Sequence, residues 1–414
     1  MRSWLASLRV YGDRRMLAIL FMGFSSGLPL ALTASTLAIW LKTAGVSLTA
    51  IGLFAEVGLA YNLKFLWAPA MDRIRLPLLG RLGRRRGWAV TIQVALAVAL
   101  LVMAGRDPAA DPWSVAIVAA IVAFLSASQD IVIDAYRVEL LDEREQGAGA
   151  AATQVGYRFG MIASGAGALY LAAYFGWFWS YVGMAVLMLV GLVTVLMTRE
   201  PRLVAPPVRG SWLAETVVAP FAEFASRRSW FLILVFVVLY KFGDALAGIM
   251  SSPFYVTLGF SLVDIANVAK IFGTAASIAG VFLGGAAVYR LGLMPALLIC
   301  GALQALSNLM YIAQLWAGPD PTVLALTIAT ENITGGMASA AFVAYLSRLC
   351  HPAFTATQYA LLSALAATGR TVLAAVGGFL VTLYKPAPGA PKAKPAVMQK
   401  TAPLGGPASQ ESSS

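Results

Sequence analysis

Charge is scarce in this sequence. Asp, Glu, Lys and Arg together make up 12% of its 414 residues, about half of what a soluble domain carries. Histidine occurs once, as His351, so neither a Ser-His-Asp triad elsewhere in the chain nor a cluster of imidazole metal ligands can be assembled. The two cysteines, Cys300 and Cys350, have no redox or metal-binding spacing. No G-x-x-x-x-G-K-[ST] motif is present, which excludes ATP held in a P-loop as the energy source. No cofactor and no metal are expected.

Apolar residues fill the rest, at 59% of the chain. Their runs are long enough to cross a bilayer, which takes roughly 20 mostly apolar residues. Eleven candidate spans stand out, at 16–41, 48–69, 88–104, 113–136, 150–173, 177–197, 229–249, 264–287, 293–316, 321–346 and 356–384. In lipid every backbone amide has to be bonded within its own segment, so the spans are helices. The first run is too long for a signal peptide and more spans follow it. The expected fold class is all-α, a polytopic membrane protein of the two-bundle transporter type.

The longest polar interruption, 198–228, divides the spans six and five. That layout gives a six-helix bundle over 1–197, a linker, and a five-helix bundle over 229–384. The remainder, 385–414, has six prolines among Ala, Gly, Lys and Ser and is expected to be disordered. The net charge of +11 points to membrane topology and not to nucleic acid, because the bases cluster in short loops. With the N-terminus in the cytoplasm, nineteen bases fall in inner segments. Only Lys42 and Arg106 fall in outer loops. The positive-inside rule then sets the orientation, and an odd number of spans puts the C-terminal tail outside. A monomer in contact with lipid is expected.

Ionisable side chains inside a membrane are costly and mark function by default. The spans hold Lys64, Arg158, Lys241, Lys270 and Arg370 against Glu56, Asp130, Asp134, Asp244 and Glu331. Structural ion pairs are the alternative. Ser126, Asp130, Asp134 and Arg137 share one helix stripe. Two carboxylates one turn apart repel in a low-dielectric cavity, which favours their sharing a proton. A carboxyl that changes charge near neutral pH can couple transport to protons. Asp130 and Asp134, with Glu331 and Glu56, are therefore the candidate proton carriers, while Arg137 could pair with Asp134. Lys241 and Asp244 are spaced to pair within a helix, and Glu56 and Lys64 lie on roughly one side of theirs. The candidate substrate-binding set is Tyr61, Asn62, Lys64, Gln129, Tyr157, Arg158, Lys241, Asp244, Asn332, Gln358 and Arg370, a mixture suited to a large polar solute.

Gly23-Phe-Ser-Ser-Gly27 matches G-x-S-x-G, but within an apolar span and without the strand that a nucleophile elbow needs. Ser25, Ser26, Gly27 and Pro29 are expected to break the first helix at a cavity. Gly156-x-x-x-Gly160 and Gly280-x-x-x-Gly284 suit close helix packing.

The chain resembles the AmpG-type muropeptide permeases of the major facilitator superfamily. The resemblance rests on Gly23-Phe-Ser-Ser-Gly-Leu-Pro-Leu30, Gly45-Val-Ser-Leu48, Ile51-Gly-Leu-Phe54, Leu63-Lys-Phe-Leu-Trp-Ala-Pro69 with Asp72-Arg73, and Ser128-Gln-Asp-Ile-Val-Ile-Asp-Ala-Tyr-Arg137. It extends to Leu239-Tyr-Lys-Phe-Gly-Asp-Ala-Leu246, Glu331-Asn332 and Phe354-Thr-Ala-Thr-Gln-Tyr-Ala-Leu-Leu-Ser363. It implies proton-coupled import of anhydro-muropeptides, a disaccharide with a peptide stem, for peptidoglycan recycling, with a link to β-lactamase induction. The chain departs from the family in two places. Asp72-Arg73 is separated from Gly83-Arg-Arg-Arg86 by a longer loop, and a polar Pro-rich stretch stands where a twelfth span is expected. A transporter of another solute (a sugar, a peptide or acetyl-CoA) and a non-transporting membrane sensor or scaffold remain open.

Overall fold

The computed structural model describes residues 8–201, 217–261 and 264–383. The expected tail, 385–414, lies outside them. Among the described residues each candidate span is a helical rod.

Rod α1 is Arg14–Thr33, continued by Ser35–Thr43. Rod α2 runs from Leu48 to Arg73 in short pieces. Rod α3 is Arg84–Ala104, α4 is Pro112–Leu140, α5 runs from Gln146 to Phe175 and α6 is Trp177–Met197. Rod α7 is Trp230–Leu239 and then Phe242–Leu258, and α8 runs from Ile265 to Leu291. Rod α9 is Leu293–Ser307 and then Met310–Ala317, α10 is Pro321–Leu349 and α11 is Thr355–Leu383. A short linker helix, Ala219–Ala225, precedes α7. Among the described residues six helices are long and apolar enough to cross a membrane by length and composition alone. Of the other rods, α2, α5 and α7 are interrupted, whereas α10 and α11 are continuous.

The caps follow from sequence. Rods α4 and α10 are both 29 residues long, and both begin with Asp-Pro. Asp111 accepts the Ser114 amide, and Asp320 accepts those of Thr322 and Val323. Proline at the first helical position has no amide to leave unpaired.

Apolar packing divides in two. One core is built from residues of α1 to α6, joined by Ala356 and Ala360 of α11. A second draws on α7 to α11 and the linker helix. Bulky apolar side chains such as Ile117, Phe178, Leu298 and Trp316 are exposed around the outside, as a lipid-facing surface requires. Glycines bring rods into backbone contact. A Cβ on Gly23 or Gly27 of α1 would meet the Thr153 or Tyr157 carbonyl of α5 at 2.4 or 2.1 Å. Gly156 and Gly160 pack back against Leu20 and Phe24, while Gly280 and Gly284 pack against Ile333 and Met337 of α10.

The expected break in the first helix is therefore corrected. Rod α1 is helical through Ser25, Ser26, Gly27 and Pro29, and its interruption comes at Ala34 (φ −123°, ψ −102°). Glycines that looked like a kink instead let α1 lie against α5. Rod α2 is irregular instead, with 3-10 turns at Ala55–Gly58 and Lys64–Leu66.

Candidate functional site

The loops between α2 and α3, α4 and α5, α8 and α9, and α10 and α11 share one end of the molecule, the basic end. There the first six rods are joined to the last five. Asp72, at the end of α2, accepts the Ala356 amide (3.1 Å), the Thr357 amide (2.8 Å) and the Thr357 hydroxyl (2.7 Å) at the start of α11. Arg85, fully buried, donates to Asp72 (2.7 Å) and Glu139 (2.6 Å). A buried carboxylate thus sits at the positive end of a helix, where the dipole favours it. Arg137, 1% exposed, reaches Ser347 of α10 at 3.2 Å and stands over the Tyr359 ring. Glu143 and Arg348 form an exposed ion pair across the same seam.

Deeper in, polar side chains gather on both sides of the seam. In the first half, Lys64 is near enough for its charge to act on both Asp130 and Asp134, and the enclosed Ser26 hydroxyl has no hydrogen-bond partner among the described residues. Lys64 is 8% exposed, held where α2 tightens into a 3-10 turn. Tyr61, Asn62, Tyr157 and Arg158 are half-buried nearby in the sequence of α2 and α5. Ser126 and Gln129 are fully enclosed, and neither amide atom of Gln129 has a partner among the described residues. In the second half, Lys241 pairs with Asp244 one turn on, as the spacing predicted. Glu331 interacts with both and accepts from Asn332 at 3.1 Å. At about 1.5 Å per helical residue, Asp130 is ~15 Å and Arg158 ~18 Å from the basic end. Charges at that depth facing lipid would be costly, so the partly exposed ones face the space between the halves.

Several residues are placed elsewhere. Gln358 is buried at the basic end, where it bonds Glu223, the Pro220 carbonyl (3.0 Å) and the His351 amide (2.7 Å). It clamps the linker helix. In the same clamp Arg227 holds Glu223 at 2.8 Å. Burial of the Glu223 carboxyl is outweighed by its bonds to Arg227 and Gln358, which hold it below the usual glutamate range. Glu56 is exposed, and a helix break separates it from buried Lys64, so the two do not share a face. The side chain of Arg370 lies outside the description. Asp134 is 3.7 Å from Arg137, whereas Asp130 has no ion pair this close among the described residues. Sequence reasoning missed the Asp72–Arg85–Glu139 network and the polar group of Gln304, Ser307 and Thr334. The last two share a 3.0 Å hydrogen bond between α9 and α10.

The Major Facilitator Superfamily profile matches residues 16–374. The chain belongs to this superfamily. It is a multi-pass membrane protein of the AmpG-type branch. It is 42% identical over 379 residues to the anhydromuropeptide permease of Escherichia coli K12, covering 91% of this chain and 76% of that protein. It is 34% identical over 381 residues to the putative transporter AmpG 4 of Rickettsia conorii, covering 91% and 92%. Major facilitator structures share the fold. They include the Escherichia coli fucose:proton symporter (TM-score 0.64, 14% identity, 92% and 93% covered) and a proton:xylose symporter (TM-score 0.62, 14% identity, 89% and 88% covered).

Proposed function

We propose that this protein imports anhydro-muropeptides, GlcNAc-anhydroMurNAc carrying a peptide stem, from periplasm to cytoplasm by proton symport. The observation that carries the reading is its 42% identity to an anhydromuropeptide permease along 91% of the chain. The two facing polar clusters are of the mixed kind a large sugar-peptide needs. The moving units are 1–197 and 229–384, joined through 198–228. Access alternates as the seam at the basic end opens and closes. The N-terminus and the basic end are cytoplasmic, on the strength of nineteen inner against two outer basic residues. The imported ligand supplies peptidoglycan recycling and, through it, a signal for β-lactamase induction.

Asp130 is the favoured proton carrier. It stands at mid-depth within reach of the Lys64 charge, without the direct arginine partner that Asp134 has. A proton entering down the membrane potential supplies ~2.3 kcal/mol per 100 mV, available only if a residue in the pathway binds and releases it. Tyr61, Asn62, Tyr157, Arg158, Lys241, Asp244 and Asn332 contact the solute. The test is uptake of labelled anhydro-muropeptide by a recycling-deficient strain expressing this chain, with and without a protonophore. Accumulation that the protonophore abolishes is expected. No uptake in a strain where the protein reaches the membrane refutes import, and accumulation indifferent to the protonophore refutes symport.

A further inference from the structure

Of the rod bases Lys64, Arg137, Arg158 and Lys241, all but Arg158 have an acid beside them among the described residues. Lys64 has Asp130 and Asp134. Arg137 has Asp134 and Lys241 has Asp244. Arg158 of α5 has a neutral partner, donating from Nη2 to the Ser277 hydroxyl of α8 at 2.8 Å. That bond crosses the seam between the halves. Ser277 is ~21 Å from the basic end of α8, the depth at which Arg158 sits on α5. The other end of α5, at Phe175, is ~26 Å from Arg158. Neither membrane surface is within reach of the side chain, so the charge cannot be relieved by snorkelling.

A guanidinium at this depth with no counter-charge is unfavourable unless something else supplies it. Arg158 is only half-buried, and its nitrogens are not among the buried polar atoms left without a partner. One N–H is bound to Ser277, and the remaining face of the fork is open. That fork matches a carboxylate in two parallel hydrogen bonds. One turn along α8 from Ser277, the Asn332 amide nitrogen lies 3.3 Å from where a Gly273 Cβ would stand. Both of its hydrogens are already donated, to the Ile328 carbonyl (3.0 Å) and to Glu331 (3.1 Å), so the open donors here are those of Arg158 itself. Beside Lys64 or Lys241, by contrast, an incoming carboxylate meets resident negative charge.

We propose that Arg158 is the site that takes a free carboxylate of the transported solute, held at the α5–α8 seam, and that Lys64 and Lys241 are not. The inference rests on the muropeptide reading for the identity of the solute, whose stem supplies the carboxylates. The seam position gives the residue a second consequence. A bound acid is held by a group already bonded to the opposite half, so substrate and inter-half contact share one side chain.

The test uses the full chain in proteoliposomes and two labelled ligands. These are GlcNAc-anhydroMurNAc-tripeptide and the same compound with its carboxyls converted to carboxamides. The wild type is expected to take up the acidic ligand about tenfold faster, the equivalent of about 1.4 kcal/mol. Arg158→Gln should erase that preference by slowing the acidic ligand alone, and Arg158→Lys should retain part of it. An Arg158→Gln protein that keeps the preference, or that loses both ligands equally while Arg158→Lys does too, overturns the assignment. Phenylglyoxal labelling of Arg158 in the wild type, read by mass spectrometry, separates this from failure of the muropeptide reading. If neither muropeptide is taken up, that reading falls. Protection of Arg158 by the free acidic tripeptide, and not by its amide, still upholds the carboxylate site, and equal labelling with and without the peptide removes it.

Discussion

Replacing Asp72 with alanine should open the basic end. The carboxylate is 3% exposed and accepts three hydrogen bonds from the first turn of α11. These cross between the halves, so they exist only while the basic end is sealed. The Arg85 bond to Asp72 lies within the first half and persists in either state. When the seam opens, water replaces the lost partners, so each crossing bond counts at its net value of about 1 kcal/mol. Three give about 3 kcal/mol, a shift of about two orders of magnitude in the sealed-to-open ratio. Asp72→Asn keeps one acceptor oxygen and should shift it less. Thr357→Val removes one donor and should shift it by about 1 kcal/mol, without touching Arg85. The assay is electron-electron resonance between nitroxides at Asp142 and Met294, exposed on opposite sides of the seam, with Cys300 and Cys350 replaced. A long-distance population that grows from wild type through Thr357→Val to Asp72→Ala is expected. A folded Asp72→Ala protein with the wild-type distance distribution refutes the argument.

Asp130→Asn is expected to abolish accumulation against a gradient and to leave counterflow exchange, both measured in vesicles. Asp134→Asn should instead lower protein level and thermal stability, because it takes the ion-pair partner from Arg137, which is 1% exposed. Gly27→Val should destabilise by about 1–3 kcal/mol or more, since its Cβ would meet the Tyr157 carbonyl at 2.1 Å; thermal melting in detergent checks it, with Gly12→Val, which has open space around it, as control. Acidification should release the linker helix late. The Glu223 carboxyl titrates below its ordinary value of 4.5, so its contribution is complete above the ordinary glutamate range and fades as pH falls through the lower folded value. Protection factors for hydrogen exchange over 219–227 should hold as pH falls to the ordinary glutamate range and drop only below it.

The rods were legible because a bilayer leaves few alternatives. Length and hydropathy place all eleven, and the Asp-Pro pairs at 111–112 and 320–321 mark where α4 and α10 begin. What the sequence could not show is which neighbour a small or polar residue meets. Gly27 and Pro29 carry the local signal of a kink, yet α1 continues because its glycines seat it against the α5 backbone. Hydropathy sees α2 as one span, although the chain tightens twice between Ala55 and Leu66. Gln358 reads as a cavity amide from its place in an apolar helix. Only the fold brings the linker's Glu223 and Pro220 to it. The Lys241–Asp244 pair was readable, because three residues along one helix are neighbours whatever the tertiary structure. Asp72 with Thr357, separated by 285 residues, was not.

The same distinction bears on how a proton could be felt at the seam. Asp130 and Asp134 look equivalent on a helical wheel, but they face different partners. The Lys64 charge acts on both. Asp134 also holds Arg137, and Arg137 in turn touches Ser347 and Tyr359 of the second half. If Asp130 carries the proton, as proposed, neutralising it leaves Lys64 with Asp134 alone. Lys64 then competes more strongly with Arg137 for that carboxylate. Arg137 is thereby loosened from its own half while its contacts to α10 and α11 remain. Charge at mid-depth and packing at the basic end are thus connected through one acid. A double-mutant cycle between Lys64 and Arg137 would show a coupling energy, whereas independent sites would add.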